Sequence, residues 1–89
     1  MWYVYIIECG NGRFYTGSTN DLNGRLKRHQ AGTGSKYTRT VGFKKVWYSE
    51  NLDTRLEALR REIEIKKLSK KNKLKLIEGF RALSLTEIE

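Results

Sequence analysis

Arg25 and His29 stand four residues apart in a stretch that also carries Leu22 and Leu26. At about 100° per residue from Leu22, Leu26 falls at about +40°, His29 at about −20° and Arg25 at about −60°. The cation and the imidazole therefore border the apolar stripe of one helix. A guanidinium and an imidazole one turn apart, turned toward a sheet, suit a site that holds a phosphate and moves a proton. An ordinary amphipathic helix, its arginine snorkelling and its histidine in solvent, explains the same pattern. A second helical stretch offers three acids, Glu57, Glu62 and Glu64. Counting from Leu56, the apolar residues Ile65, Ala58, Leu59 and Ile63 sweep from about 180° to about 340°, and Glu62 falls inside that arc at about 240°. Glu57 and Glu64, at about 100° and about 80°, share the opposite side with Arg60, Arg61 and Lys67. An inward carboxylate is costly unless compensated. A divalent cation and an ion pair with Lys66, four residues on, are two ways of doing so.

Other chemistries fail on spacing. Gly10 and Gly12 are not followed by GK[ST] or by a third glycine opening a helix, so neither a P-loop nor a dinucleotide fingerprint is present. No serine occurs as GxSxG. Cys9 is the only cysteine, and with His29 it cannot fill a structural zinc site. A single inward acid also argues against a two-metal centre.

The elements that must position these groups follow from pattern. Residues 3–8 and 13–18 read as strands joined at the Gly10-Asn11-Gly12 turn. Asn20 or Thr19 can cap a helix with Asp21 in its first turn, running to about residue 29. Residues 30–44 read as a loop, punctuated by Gly32, Gly34 and Gly42, and residues 46–48 as a third strand. A helix is expected over residues 55–68, and Ser69 caps another that carries Leu74 and Ile77 inward to about Gly79. The expected architecture is α+β, a small three-stranded antiparallel sheet flanked by helices. It forms one domain over residues 1–89, with its core in about residues 1–79 and a tail at 80–89.

The net charge of +8 on 89 residues is the strongest compositional signal, and it favours a polyanionic partner, nucleic acid first. A basic adaptor for ribosomes or acidic proteins has the same charge. No apolar run reaches the roughly 18 residues of a membrane span, and the apolar residues 2–7 lack a basic leader or a small-residue cleavage site. With one cysteine, a reducing cytoplasm is the expected compartment.

The chain resembles the GIY-YIG nuclease superfamily over nearly its whole length. Tyr3-Val4-Tyr5 stands where that family has GIY, and Tyr15-Thr16-Gly17 where it has YIG. Arg25 and His29, the Gly32 to Arg39 loop and Glu62 follow in the family's order. The resemblance implies a metal-dependent endonuclease that hydrolyses phosphodiester bonds in nucleic acid, DNA first, in a setting such as repair or recombination. It implies a site of Tyr5, Tyr15, Arg25, His29 and Glu62, with Glu62 holding one divalent ion, Mg²⁺ or Mn²⁺. Tyr5 would help to remove the attacking water's proton, Arg25 would stabilise developing charge, and His29 would position or relay a proton. The chain departs from the pattern at three places. Tyr3 replaces the first glycine, Ser18 stands where some relatives have lysine, and Leu74 where some have asparagine, with Asn72 nearby. A non-catalytic nucleic-acid-binding module on the same scaffold, using Lys66, Lys67, Lys70, Lys71 and Lys73, is the alternative.

Two geometric expectations complete the reading. A two-residue turn at Asn11-Gly12 would put Tyr5 and Tyr15 on opposite faces. A three-residue loop, Gly10 to Gly12 with Gly12 left-handed, pairs Tyr5 with Gly17 and aligns the tyrosines, and is expected. In the 32–39 loop Tyr37 is expected to stack a base while Lys36 and Arg39, with Lys66 beyond, meet phosphates.

Overall fold

The computed structural model describes residues 1–33 and 36–88, and for Tyr37, Thr38 and residues 81–88 the backbone alone. The side chain of Tyr37, expected to stack a base, lies outside the described residues. In chain order the elements are β1 (Trp2–Cys9), β2 (Phe14–Thr19), α1 (Leu22–Gln30), α2 (Lys36–Val41), β3 (Phe43–Leu52), α3 (Arg55–Lys66) and α4 (Lys70–Ile88). The three strands form one antiparallel sheet in the order β2-β1-β3, so the class is α+β as expected. No helix among the described residues is long and apolar enough to cross a membrane.

The central strand β1 is buried on both faces, and its run Val4-Tyr5-Ile6-Ile7 is fully enclosed. Side chains alternate across it. Val4 and Ile6 join Tyr48, Ala58, Ile65 and Ile77 in the core beneath α3 and α4. Tyr5 faces the other way, toward α1. The hairpin is closed by Cys9 N–H donating to Arg13 O (2.8 Å) and Gly12 N–H to Cys9 O (2.9 Å). Gly12 takes φ 81°, the left-handed conformation that the three-residue loop requires, and Tyr5 duly pairs with Gly17.

Several local expectations are corrected. Asp21, not Asn20 or Thr19, is the N-cap of α1. Its Oδ1 accepts from Gly24 N–H (3.1 Å), while Thr19 Oγ1 accepts from Asp21 N–H and sets the approach. The stretch 30–44 is not all loop, since α2 fills Lys36–Val41. β3 runs over ten residues rather than three, because backbone pairing with β1 carries it through the polar Lys44, Lys45 and Ser49. α4 is capped by Ser69, whose Oγ accepts from Asn72 N–H (3.2 Å), but it continues past Gly79 to Ile88. Ile77 is buried, whereas Leu74, expected inward, is exposed.

The largest correction concerns α3. Ala58 and Ile65 are fully buried, while Leu56, Leu59 and Ile63 are exposed. The buried face is rotated by roughly 70° from the expected arc. Ala58 lets the helix approach the sheet closely, and Arg61, expected in solvent, is half-buried on the flank. Its Nε donates to Glu50 on β3 (2.8 Å) and its Nη1 to Glu64 (3.0 Å), and Glu50 also accepts from the Tyr48 hydroxyl. This network fixes the roll of α3. Burial against Glu50 pushes the Tyr48 phenol up to about 12. Docking itself rests on apolar burial. A fully buried Ile65 contributes about 1.5–3 kcal/mol, against about 1 kcal/mol or less for an ion pair still partly open to solvent.

Candidate active site

Each candidate side chain is placed by one of these elements. Tyr5 and Tyr15 share a sheet face because Tyr5 pairs with Gly17 and Ile7 with Tyr15. The two rings lie 6.4 Å apart at 42°. The absent side chain of Gly17 is what makes room for them. A Cβ there would fall 2.5 Å from the Tyr5 hydroxyl oxygen and 2.7 Å from Cζ. Tyr5 therefore lays its phenol across the edge strand β2.

His29 closes the site from α1. It is fully buried, deeper than its expected place on the border of the helix stripe. Its ring packs edge-on against Tyr5 (5.6 Å between centroids) and Tyr15 (5.4 Å), and its Nε2 is 2.8 Å from the Tyr5 hydroxyl. The helix stripe could not foretell that depth, because the cavity that receives the ring is made by two tyrosines on another element.

The electrostatics of the group are mutual. Burial, then the neighbouring Tyr15 and the charge of Glu62, hold the Tyr5 phenol well above its ordinary range, with Arg25 pulling the other way. Tyr5 is thus protonated at neutral pH. Burial, then the cations Arg25 and Arg28, push His29 below its ordinary value of 6.5, so it is neutral there. In the tautomer protonated on Nδ1, Nε2 accepts the Tyr5 O–H. Arg25 is half-buried, and its Nε is buried without a hydrogen-bond partner. Such an orphan donor costs about 1–3 kcal/mol unless an acceptor meets it.

The His29 shift has a consequence for stability. Folding lowers its pKa, so the unfolded chain binds the proton more readily. The stabilisation is fully present above about pH 6.5 and is lost as pH falls through the lower folded value. Chemical denaturation at pH 8, 6 and 5 is expected to show stability falling over that window, with a shallower fall for His29→Gln. An unchanged slope in the variant would remove His29 as its source.

Glu62 is half-buried on α3, and its carboxylate is among the charges that act on Tyr5. Its Oε2 accepts from Lys66 Nζ at 2.7 Å, the ion pair that the sequence left open. Lys36 and Arg39 are exposed on α2, three residues apart, and Glu57 and Glu64 are exposed on α3. Among the described residues no three His, Cys, Asp or Glu side chains form a metal cage. One carboxylate, with one oxygen engaged by Lys66, does not fit zinc, which wants three or four protein ligands. It does fit a hard cation such as Mg²⁺, which keeps several waters and takes other oxygens from a phosphate.

Sequence reasoning missed two supporting features. The Glu50-Arg61 clamp sets the roll of α3 one residue before Glu62, and no spacing rule announces it. The room that Gly17 leaves for the Tyr5 phenol did have a signal, the glycine itself on a strand beside a tyrosine.

The model of the GIY-YIG catalytic domain matches residues 1–75. The chain belongs to the GIY-YIG family. This GIY-YIG chain is 45% identical over 75 residues to a UPF0213 protein of Staphylococcus saprophyticus, covering 84% of this chain and 92% of the relative. It is 42% identical over 76 residues to a UPF0213 protein of Staphylococcus aureus, covering 85% and 93%. Among solved structures it is similar to the solution structure of a UPF0213 protein from Bacillus halodurans, with 42% identity, a TM-score of 0.56, and 88% and 84% of the two chains covered. A protein from E. faecalis matches with 36% identity, a TM-score of 0.60, and 90% and 85% covered.

Proposed function

We propose that this GIY-YIG chain is a divalent-metal-dependent endonuclease that hydrolyses phosphodiester bonds in nucleic acid, with DNA the favoured substrate and the cytoplasm its setting. The observation that carries the reading is the convergence of Tyr5, Tyr15 and His29 beside a half-buried arginine with an orphan donor. Arg25, half-buried beside the tyrosines, supplies the cation that a phosphate would meet there.

Because the Tyr5 phenol is protonated, it serves as a relay. Tyr5 and His29 are fully enclosed, so the relay requires substrate binding to admit water to the phenol. The Tyr5 oxygen then receives a proton from that water while its own O–H passes to His29 Nε2. The phosphate drawn to Arg25 offsets the cationic field that depresses His29, which eases that second transfer. Arg25 donates to the phosphoryl oxygens as charge builds there. Tyr15 walls the relay from one side and fixes the His29 ring. A divalent ion held by Glu62 would supply charge neutralisation at phosphorus and a more acidic water. Lys36, Arg39 and Lys66 neutralise flanking phosphates, and a side chain stacking on a base from Tyr37 belongs to the same reading.

The test is incubation with single-stranded, duplex and flap oligonucleotides, with Mg²⁺ and with chelator. Cleavage that chelator abolishes is the expected result. The Lys66 ammonium on Glu62 favours the non-catalytic binding module instead, which would leave every substrate intact and respond to ionic strength rather than Mg²⁺.

A further inference from the structure

On the face of β2 turned away from the tyrosines, Arg13, Phe14, Lys70 and Lys73 line a cavity of about 130 Å³. It draws on two elements remote in sequence, the start of β2 and the first turn of α4. Phe14 is half-buried against the core, and Lys70 Nζ stands 5.9 Å from the centre of its ring, a cation-π contact that holds the ammonium at the cavity. Among the described residues no carboxylate lines the space. Among the described residues Arg13, Lys70 and Lys73 take part in none of the ion pairs, which join Lys44, Arg61 and Lys66 to acids. Three cations gathered in one concavity without a counter-charge repel one another, and an anion entering it relieves that repulsion. The volume is several times the roughly 30 Å³ share of one water, enough for a phosphate group.

We propose that this cavity is a second phosphate subsite, taking a backbone phosphate of the nucleic-acid strand whose scissile phosphate lies at Tyr5. The proposal rests on the nuclease reading above for the identity of the strand, and on the cavity alone for the anion. β2 is an edge strand, so a ligand can run along it. Arg13 precedes Gly17 by four residues, about 13 Å along β2 at roughly 3.3 Å per residue, and the ligand must also pass round the β2 edge to the other face. At a duplex rise of about 3.4 Å per nucleotide, the cavity meets the strand a few nucleotides from the cut. The lysines of α3 and α4 are thereby separated in role. Lys66 stands beside Glu62 and meets phosphates near the cut, whereas Lys70 and Lys73 join Arg13.

The test compares the variant Arg13→Gln/Lys70→Gln/Lys73→Gln with Lys45→Gln/Arg60→Gln/Lys75→Gln, which loses the same charge from exposed positions elsewhere. Binding of a labelled oligonucleotide is measured across a salt series without divalent metal, so that the strand stays uncut. The first variant is expected to bind on the order of tenfold more weakly, with its log–log salt slope shallower by about one to two, and the second to keep the wild-type slope. Equal losses in both would overturn the subsite and leave only a diffuse field. Titration with inorganic phosphate, followed at the amides of Phe14, Lys70 and Lys73 by NMR, reads the anion site separately. Saturable shifts that the first variant loses support the subsite even if wild-type protein cleaves nothing, in which case the nuclease reading fails alone. Absent shifts together with wild-type binding by the first variant sink the subsite while cleavage stands.

Discussion

Glu62→Gln is expected to lower phosphodiester cleavage on the order of 10³-fold or more while the protein stays folded. Glutamine keeps the size and polarity of the side chain but removes the charge that holds a hard cation. The structural loss is small, since the pair with Lys66 joins an exposed, solvent-screened ammonium to a half-buried carboxylate and contributes at most about 1 kcal/mol. Affinity for uncut oligonucleotide should hold or rise slightly, because a negative charge near the phosphate has gone. Glu57→Gln and Glu64→Gln are the controls. Glu57 accepts from the capping Thr54 hydroxyl and Glu64 from Arg61, so both changes should be mild in stability and leave turnover unaltered. Steady-state cleavage with Mg²⁺ decides the matter: full activity in the Glu62→Gln protein would free Glu62 of any metal role.

Gly17→Ala is expected to cost activity on the order of 10²-fold by moving a group that the mutation does not touch chemically. The added methyl carbon would sit 2.5 Å from the Tyr5 hydroxyl oxygen. Tyr5 has nowhere to retreat, being fully buried and packed between Tyr15 and His29. Its hydroxyl must leave Nε2 of His29, and the relay opens. Overpacking of this kind destabilises by about 1–3 kcal/mol. Tyr5→Phe in the same chain removes the hydroxyl half of the clash, so the double variant should regain part of the stability and none of the activity. Denaturant midpoints and cleavage rates of the four proteins in this cycle test the claim. Wild-type turnover in Gly17→Ala would show that the position of the Tyr5 hydroxyl is immaterial.

The parts of the fold that were legible in the sequence are those fixed by strict local rules. Gly12 in a three-residue turn sets the parity of the hairpin, and parity alone puts Tyr5 and Tyr15 on one face. Leucine spacing on α1 turned Arg25 and His29 toward the sheet. Where burial depends on a partner element, the sequence carried less. His29 is buried because two tyrosines receive it, and α3 is rolled away from its own leucines because Ala58 packs closely and Arg61 finds Glu50 on β3. A helical wheel weighs side chains by polarity and has no entry for an arginine that meets a carboxylate on another strand. α2 escaped for a different reason. Six residues make fewer than two turns, too few to show a period, and it is bounded by Gly42 at φ 86°.

The nine residues of α1 carry both Arg25 and His29, and a helix that short is not stable in isolation, where about 12–15 residues are needed even for good helix formers. The Asp21 cap contributes roughly 1 kcal/mol, and packing of the inner face adds to it, with half-buried Leu22 and Leu26 flanking the fully buried His29 ring lodged against Tyr5 and Tyr15. The helix is therefore held in part by the tyrosines that receive its histidine, and the tyrosines are joined to a proton acceptor only while the helix persists. Assembly of the candidate site and closure of this side of the sheet form one cooperative unit. A chain with α1 melted keeps its core of Val4, Ile6 and Ile65, yet it loses guanidinium and imidazole together, so competence for proton transfer is present whole or absent.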